Sequence, residues 1–224
     1  FPLAANIDLA VAAGFPTIVP TAYDLLVRTA HLQKGETVLI HSAAGGVGTM
    51  AGQIARHLGA GLVIGTVSNS RKAAYASEFG YDKVVLYDEF QQTARELTNG
   101  RGVDIVLEAV GEPIRSQSLA ILAPFGRLVI FGASNNGTGN PHDLPLEAGS
   151  FLGKNTAILG YSIGALSQTA PHLIADTARQ TLDLLAQEQI KIAITDILSL
   201  EEASEAHRRL ESRDTVGKLL LRVR

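Results

Sequence analysis

Cysteine and tryptophan are absent from this chain of 224 residues, and methionine occurs once. Without cysteine there are no disulfides and no thiolate metal site within the chain, while the redox compartment stays open. Aromatic residues make up only 5% and charged residues 18%, with a formal net charge of -3. The basic residues are scattered, so the stripe or patch that marks a nucleic-acid binder is missing. No continuous apolar run approaches the roughly 20 residues that a membrane-spanning helix requires. The first twenty residues lack a basic n-region and contain Asp8, so they do not read as a signal peptide. A cytoplasmic protein is therefore the default expectation. Apolar residues, by contrast, are plentiful at 46%, enough to bury a core as one large domain or one domain with appendages. The chain opens at Phe1 in mid-pattern and without an initiator Met. An excised piece of something longer is expected as readily as a complete protein.

The spacing of apolar residues switches repeatedly between two periods. Residues 7–13 and 21–30 have helical spacing, with Pro16 and Pro20 as punctuation before the second. Residues 37–41 form a short run of strand formers introduced by the turn Lys34-Gly35-Glu36. A helix over 46–58, a strand over 62–67 and a helix over 71–79 closed by Gly80 follow. The series continues with a strand at 84–87, a helix at 89–97, the turn Asn99-Gly100, a strand at 103–107, a helix at 114–122 and a strand at 126–131. The strands are continuously apolar, as expected when helices cover both faces of a sheet. The pattern predicts an α/β fold, a doubly wound parallel Rossmann sheet of about six strands. A polar loop at 133–145 precedes a sixth strand, 155–161, at a sheet edge. The tail carries a long amphipathic helix at 171–187, a strand at 192–198, a helix at 201–210 with Ser199 as N-cap, and a last strand at 218–223. The expected division is a leading segment 1–16, a nucleotide-binding domain 17–165 and a C-terminal strand–helix–strand region 166–224.

Directly after the first strand comes Ala43-Ala44-Gly45-Gly46-Val47-Gly48, opening into a helix. It fits G-x-G-x-x-G with alanine in place of the first glycine. Small residues are needed there for a tight turn, for close approach of backbone to a pyrophosphate, and for helix–strand packing. Amides at the helix N-terminus, with its partial positive charge, then hold the phosphates. A glycine-rich turn alone is weak evidence, but this one stands between strand and helix at the head of a βαβ series. No Gly-Lys-Ser/Thr ends it, which argues against a Walker-type loop.

The end of the second strand reports on the cofactor. NAD-binding proteins usually place an acidic residue there, roughly 20 residues past the loop, for the ribose hydroxyls. This chain has Thr66-Val67-Ser68-Asn69-Ser70-Arg71-Lys72. No carboxylate repels a 2′-phosphate, while hydroxyls and two cations are present to bind one. NADP is favoured over NAD; the alternative is a solvated helix start.

Together these features resemble the zinc-independent quinone oxidoreductase branch of the medium-chain dehydrogenase/reductase family. The likeness runs through Pro20-Thr21-Ala22-Tyr23, residues 35–40, the loop at 43–48, Leu58-Gly59-Ala60 and Gly65-Thr66-Val67. It continues in Glu108-Ala109-Val110-Gly111, residues 126–132, and Leu210-Glu211-Ser212-Arg213 with Gly217-Lys218. The resemblance implies that Ala44, Gly45, Gly46 and Val47 bind the pyrophosphate. It also implies that Ser68, Lys72 and Arg213 contact the 2′-phosphate and that Tyr87 flanks the adenosine. Val110, Gly111, Phe131, Gly132 and Ala133 would wall the ribose and nicotinamide, and Thr21 would face the ring. Tyr87 equally suits packing at a strand end, and Arg213 equally suits an exposed surface. Glu108 is expected to be structural. The resemblance further implies an N-terminal substrate domain that this sequence does not contain, to which residues from about 192 onward would return.

The expected activity of the parent protein is hydride transfer from NADPH to a conjugated carbonyl, a quinone or enone, with no catalytic acid or base from the protein and no metal. His41, His57 and His142 share no ligand spacing. The expected partners are a small-molecule substrate and a second copy of the chain, paired through strand 155–161 as a homodimer, with neither nucleic acid nor membrane. Rival expectations are an enoyl reductase domain excised from a multidomain synthase, a non-catalytic NADPH-binding or sensing protein, and, remotely, a methyltransferase with a related loop.

Overall fold

Strand-forming and helix-forming runs alternate in the computed structural model, which describes residues 6–132, 134 and 148–223, with 148–150 by backbone alone. The strands of the main sheet are β1 (Thr37–Ile40), β2 (Leu62–Val67), β3 (Lys83–Leu86), β4 (Val103–Glu108), β5 (Leu122–Ile130) and β6 (Ala157–Gly160). The helices are α1 (Leu9–Asp24), α2 (Gly46–His57), α3 (Ser70–Ala76), α4 (Phe90–Leu97), α5 (Ile114–Ala120), α6 (Ala148–Lys154), α7 (Ile163–Thr169), α8 (Pro171–Ala186) and α9 (Ala203–Glu211). Two further strands, β7 (Ile194–Ser199) and β8 (Lys218–Arg222), pair in parallel as a separate small sheet.

Among the described residues the main sheet is all parallel, ordered β3-β2-β1-β4-β5-β6. Side chains alternate across it. Val38 and Ile40 enter one apolar core with residues of α1, α2 and α8, while Leu39 enters a second with Phe90 and Ala94 of α4. Two cores on opposite faces define the doubly wound architecture that the continuous apolar strands predict. The order reverses between β1 and β4, and the crevice beyond the carboxyl ends of such strands is where ligands bind in this architecture.

Three sequence expectations change. Residues 9–29 form one helical stretch rather than two helices parted by prolines. Asp8 caps α1 by accepting from the Ala10 and Val11 amides, and the helix passes through Pro16 and Pro20 into a π turn, Leu25–Thr29. An interior proline costs about 3 kcal/mol. Pro16 lies on the exposed face, however, and the buried side chains Phe15, Ile18, Val19, Leu25 and Leu26 each stabilise by about 1.5–3 kcal/mol, so burial wins. The stretch Leu9–Thr29, 21 residues with mean hydropathy 1.4, is long and apolar enough to cross a membrane by length and composition. Polar interruptions at Thr17, Thr21 and Asp24 hide this from a count of contiguous apolar residues. Its most apolar window is 56% buried, packed against α2 and α8, which makes it a core helix.

The second change is at β5, which begins at Leu122 rather than at 126, at the expense of the end of α5. A register shift lets Val103 pair with Leu122 and Ile105 with Arg127, and within this irregular stretch of β5 Phe125 sits at φ 63. Third, α6 and α7 are additional. Ser162 starts α7 by accepting from the Ala165 amide. The sixth strand does lie at the sheet edge, and Ser199 does open a helical turn, in a capping box with Glu202. Most of the loop 133–145 lies outside the described residues.

Candidate functional site

The turn after β1 is built by close backbone approach. Ser42 takes a left-handed φ of 56, which lets the Ala43 amide reach the Thr66 carbonyl at 2.9 Å and the Gly45 amide return to the Ser42 carbonyl at 2.9 Å. Gly45 then caps α2 in extended conformation with no side-chain acceptor, leaving the helix's first amides available to an anion. A Cβ on Gly48 would collide with the Ser42 carbonyl and lie 2.8 Å from Ala43 Cα. Only glycine permits this packing of α2 on the turn.

This turn forms one wall of a cavity of about 470 Å³ at the carboxyl ends of β1, β2 and β4. Ala44, Gly45, Ser68, Lys72, Tyr87, Val110 and Arg213 line it, as the sequence leads one to expect of a shared site. Ser42, Val67, Pro113, Ile114, Ser134 and Thr215 line it as well. Those six were missed by sequence reasoning, although Thr215 stands only two residues from Arg213 and Ser42 directly precedes the glycine loop. Of the other expected residues, those described do not line the cavity. Gly46 and Val47 open α2 behind the loop. Gly111 gives its amide to Glu108. Phe131 packs on the core, Gly132 is exposed beside Ala109, and Thr21 is buried within α1. Ala133 lies outside the described residues.

Charge at the β2 end of the cavity is one-sided. None of the described lining residues carries a carboxylate, and two, Lys72 and Arg213, are cations. Asn69 does not mimic the missing acid; its side chain accepts the Lys72 amide at 2.9 Å and caps α3. The Lys72 ammonium donates to the Arg213 carbonyl. Partial burial draws its pKa below the ordinary lysine value, with Asp214 pulling the other way and Arg71 adding to the depression.

The opposite wall is fixed from behind. The Tyr87 hydroxyl accepts from the Ser42 amide at 3.1 Å, and its ring lies stacked 5.9 Å from His41. His41 is fully buried, its nitrogens 2.7 Å from Thr66 Oγ1 and 2.8 Å from Ser118 Oγ. Burial holds its pKa down at about 3, so it is a neutral tie between β1, β2 and α5 rather than an acid. Glu108 is equally occupied. One oxygen accepts the Val110 and Gly111 amides at 2.5 and 2.6 Å, and the other takes Arg115 Nε at 2.9 Å. It shapes the loop that carries Val110. His57 belongs to α2, and His142 lies outside the described residues. Among the described residues no cluster of three His, Asp or Glu suits a metal.

The chain is similar to known proteins over most of its length. A family model described as zinc-binding dehydrogenase matches residues 46–183. A quinone oxidoreductase of Pseudomonas aeruginosa is 35% identical over 96% of this chain and 65% of its own length. A highly reducing polyketide synthase of Didymella fabae is 34% identical over 94% of this chain but only 11% of the synthase. Among solved structures, the quinone oxidoreductase of Thermus thermophilus, whose structures include a complex with NADPH, superposes with a TM-score of 0.87. It is 30% identical, and the match covers 100% of this chain and 69% of that one. The chain therefore spans less than two thirds of either curated relative.

Proposed function

This chain belongs to the medium-chain dehydrogenase/reductase family, in its quinone oxidoreductase-like branch, and on that premise we propose that it supplies the NADPH-holding part of an oxidoreductase acting on a quinone or enone. One observation carries the reading. A single cavity joins a helix N-terminus that no side chain caps, at Gly45, to a doubly cationic end at Lys72 and Arg213 with no carboxylate among the described lining residues. A dinucleotide with a 2′-phosphate needs both.

In this reading Ala44, Gly45, Gly46 and Val47 hold the pyrophosphate, and Ser68, Lys72 and Arg213 hold the 2′-phosphate. Tyr87 flanks the adenosine. Val110 walls the ribose and nicotinamide from within the cavity, while the further wall assigned to Gly111, Phe131 and Gly132, and to Thr21 at the ring, rests on the family resemblance alone. The bound cofactor supplies the hydride. The protein binds and orients it, and the apolar lining from Val67, Val110, Pro113 and Ile114 excludes water.

A second reading makes the chain the enoyl reductase portion of a multidomain synthase. The synthase match, nearly equal in identity and coverage of this chain to the quinone oxidoreductase match, favours it. The two share the cofactor site and part at the substrate. NADPH oxidation by the parent protein with a small quinone, set against an unsaturated acyl thioester, separates them. Under either reading the protein is cytoplasmic and pairs as a homodimer through β6. The region 166–224 also offers exposed apolar side chains, Leu200, Leu210 and Val223 among them, to a further domain.

The test of the cofactor assignment is calorimetric titration of this chain with NADPH and NADH at fixed salt. Tighter NADPH binding is expected; equal affinities would return Lys72 and Arg213 to an ordinary solvated surface.

A further inference from the structure

The segment bearing Arg213 is held in place by two side chains at the head of α3, Lys72 from the cavity lining and Arg71 from outside it. Arg213 itself is exposed and adopts a left-handed φ of 56. Its carbonyl is taken by the Lys72 ammonium, and the next carbonyl, that of Asp214, accepts from Arg71 Nη2 at 2.6 Å. The same guanidinium nitrogen also donates to the Asp214 carboxylate. Two consecutive cations at the head of α3 thus grip two consecutive peptide units of the tail. Lys72 has three protons and spends one on Arg213, leaving two for a ligand. Three residues on, the Gly217 amide closes on the Ala44 carbonyl at 2.8 Å.

We propose that Asp214, through its pair with Arg71, is a positioning residue that sets the preference for NADPH by fixing Arg213 at the 2′-phosphate end of the cavity. The inference rests on the cofactor reading above and adds to it a residue that touches no ligand. Asp214 does not line the main cavity, whereas its neighbours Arg213 and Thr215 do. An acidic residue beside a phosphate site is otherwise unfavourable, because its charge repels the dianion, even though it also favours the charged form of the nearby Lys72. Its presence is accounted for if ordering the Arg213 segment outweighs that repulsion. Preorganisation of this kind raises affinity by removing the cost of ordering a loop on binding.

The sign of one substitution decides the matter. Direct electrostatics predicts that Asp214→Ala binds NADPH more tightly, since a negative charge is gone. The latch predicts the reverse. The pair is exposed, with side chains 60% and 72% accessible, so the effect is modest: about a three- to fivefold rise in the NADPH dissociation constant, with NADH unchanged. Arg71→Ala weakens NADPH at least as much, and the double variant is no weaker than Arg71→Ala alone, because both break one contact. Calorimetric titration of this chain and the three variants with both cofactors measures this, with thermal melting confirming that each variant is folded. Tighter or unchanged NADPH binding by Asp214→Ala, beside a wild type that prefers NADPH, overturns the latch and leaves the cofactor reading standing. Equal losses of NADH and NADPH overturn it too, as a merely structural role would produce them. A wild type without preference overturns the cofactor reading and the latch together.

Discussion

The Gly217 amide donates to the Ala44 carbonyl at 2.8 Å, and a parallel bridge joins Gly45 to Gly217. The last strand thus begins by attaching itself to the glycine loop. Gly217 sits at φ 58, and a Cβ there would lie 2.5 Å from both the Ala193 carbonyl and the Tyr75 hydroxyl. Gly217→Ala is therefore expected to destabilise the chain by on the order of 1–3 kcal/mol and to weaken both cofactors, because the tail no longer closes on the loop. Denaturant unfolding and cofactor titration measure the two effects. Wild-type values in both would mean that the tail's attachment does not matter to the site.

Cofactor choice depends on single side chains. Lys72→Ala and Arg213→Ala are each expected to weaken NADPH while leaving NADH nearly unchanged, since NADH lacks the 2′-phosphate. A charge-assisted contact contributes about 1.5–3 kcal/mol when shielded, and exposure and salt reduce this to roughly a tenfold loss. Ser68→Asp is expected to reverse the preference, by repelling the phosphate and accepting the ribose hydroxyls. A loss of NADH and NADPH alike on Lys72→Ala would return that residue to the helix surface.

The edge strand β6 pairs with β5 along one side only, leaving its other row of backbone groups without a strand partner among the described residues. Pairing with the same strand of a second copy satisfies them under two-fold symmetry. Light scattering at micromolar concentration is expected to give twice the mass of 23.7 kDa. A monomer mass would remove the dimer proposal.

The sheet was legible because its signal is local. Largely apolar runs at 37–41, 62–67 and 103–107, each followed by helical spacing, leave few other ways to bury both faces. What escaped reading was set by contacts distant in sequence. The prolines of α1 forecast a break, but burial of Phe15 and Val19 overrides them, and nothing local announces that burial. Pro113, Ile114 and Ser134 reach the cavity through loops whose course is set elsewhere, the first by Glu108 gathering the Val110 and Gly111 amides. Similarly, the grip of Arg71 on Asp214 spans 143 positions, and composition shows only two common surface charges.

The buried His41 makes the fold sensitive to acid in a defined window. Its pKa falls from 6.5 to about 3 because burial disfavours the imidazolium. Between those values the unfolded chain binds a proton that the folded chain refuses, so stability rises with pH across the window. His41's contribution is complete above about pH 6.5 and is lost progressively on acidification, by about 2 kcal/mol between pH 7 and pH 5. Glu205, whose carboxyl is held low by Arg208 and Arg209, also costs stability on acidification, so the comparison needs a variant. His41→Gln keeps a polar group between Thr66 and Ser118 but has nothing to titrate. It is expected to be less stable than wild type at pH 7, since a buried group has been reshaped, and to lose less on going to pH 5. Urea unfolding at the two pH values gives the four free energies required. If wild type and His41→Gln lose the same amount, His41 is not held neutral by burial, and the tie it makes between β1, β2 and α5 is not what acid breaks.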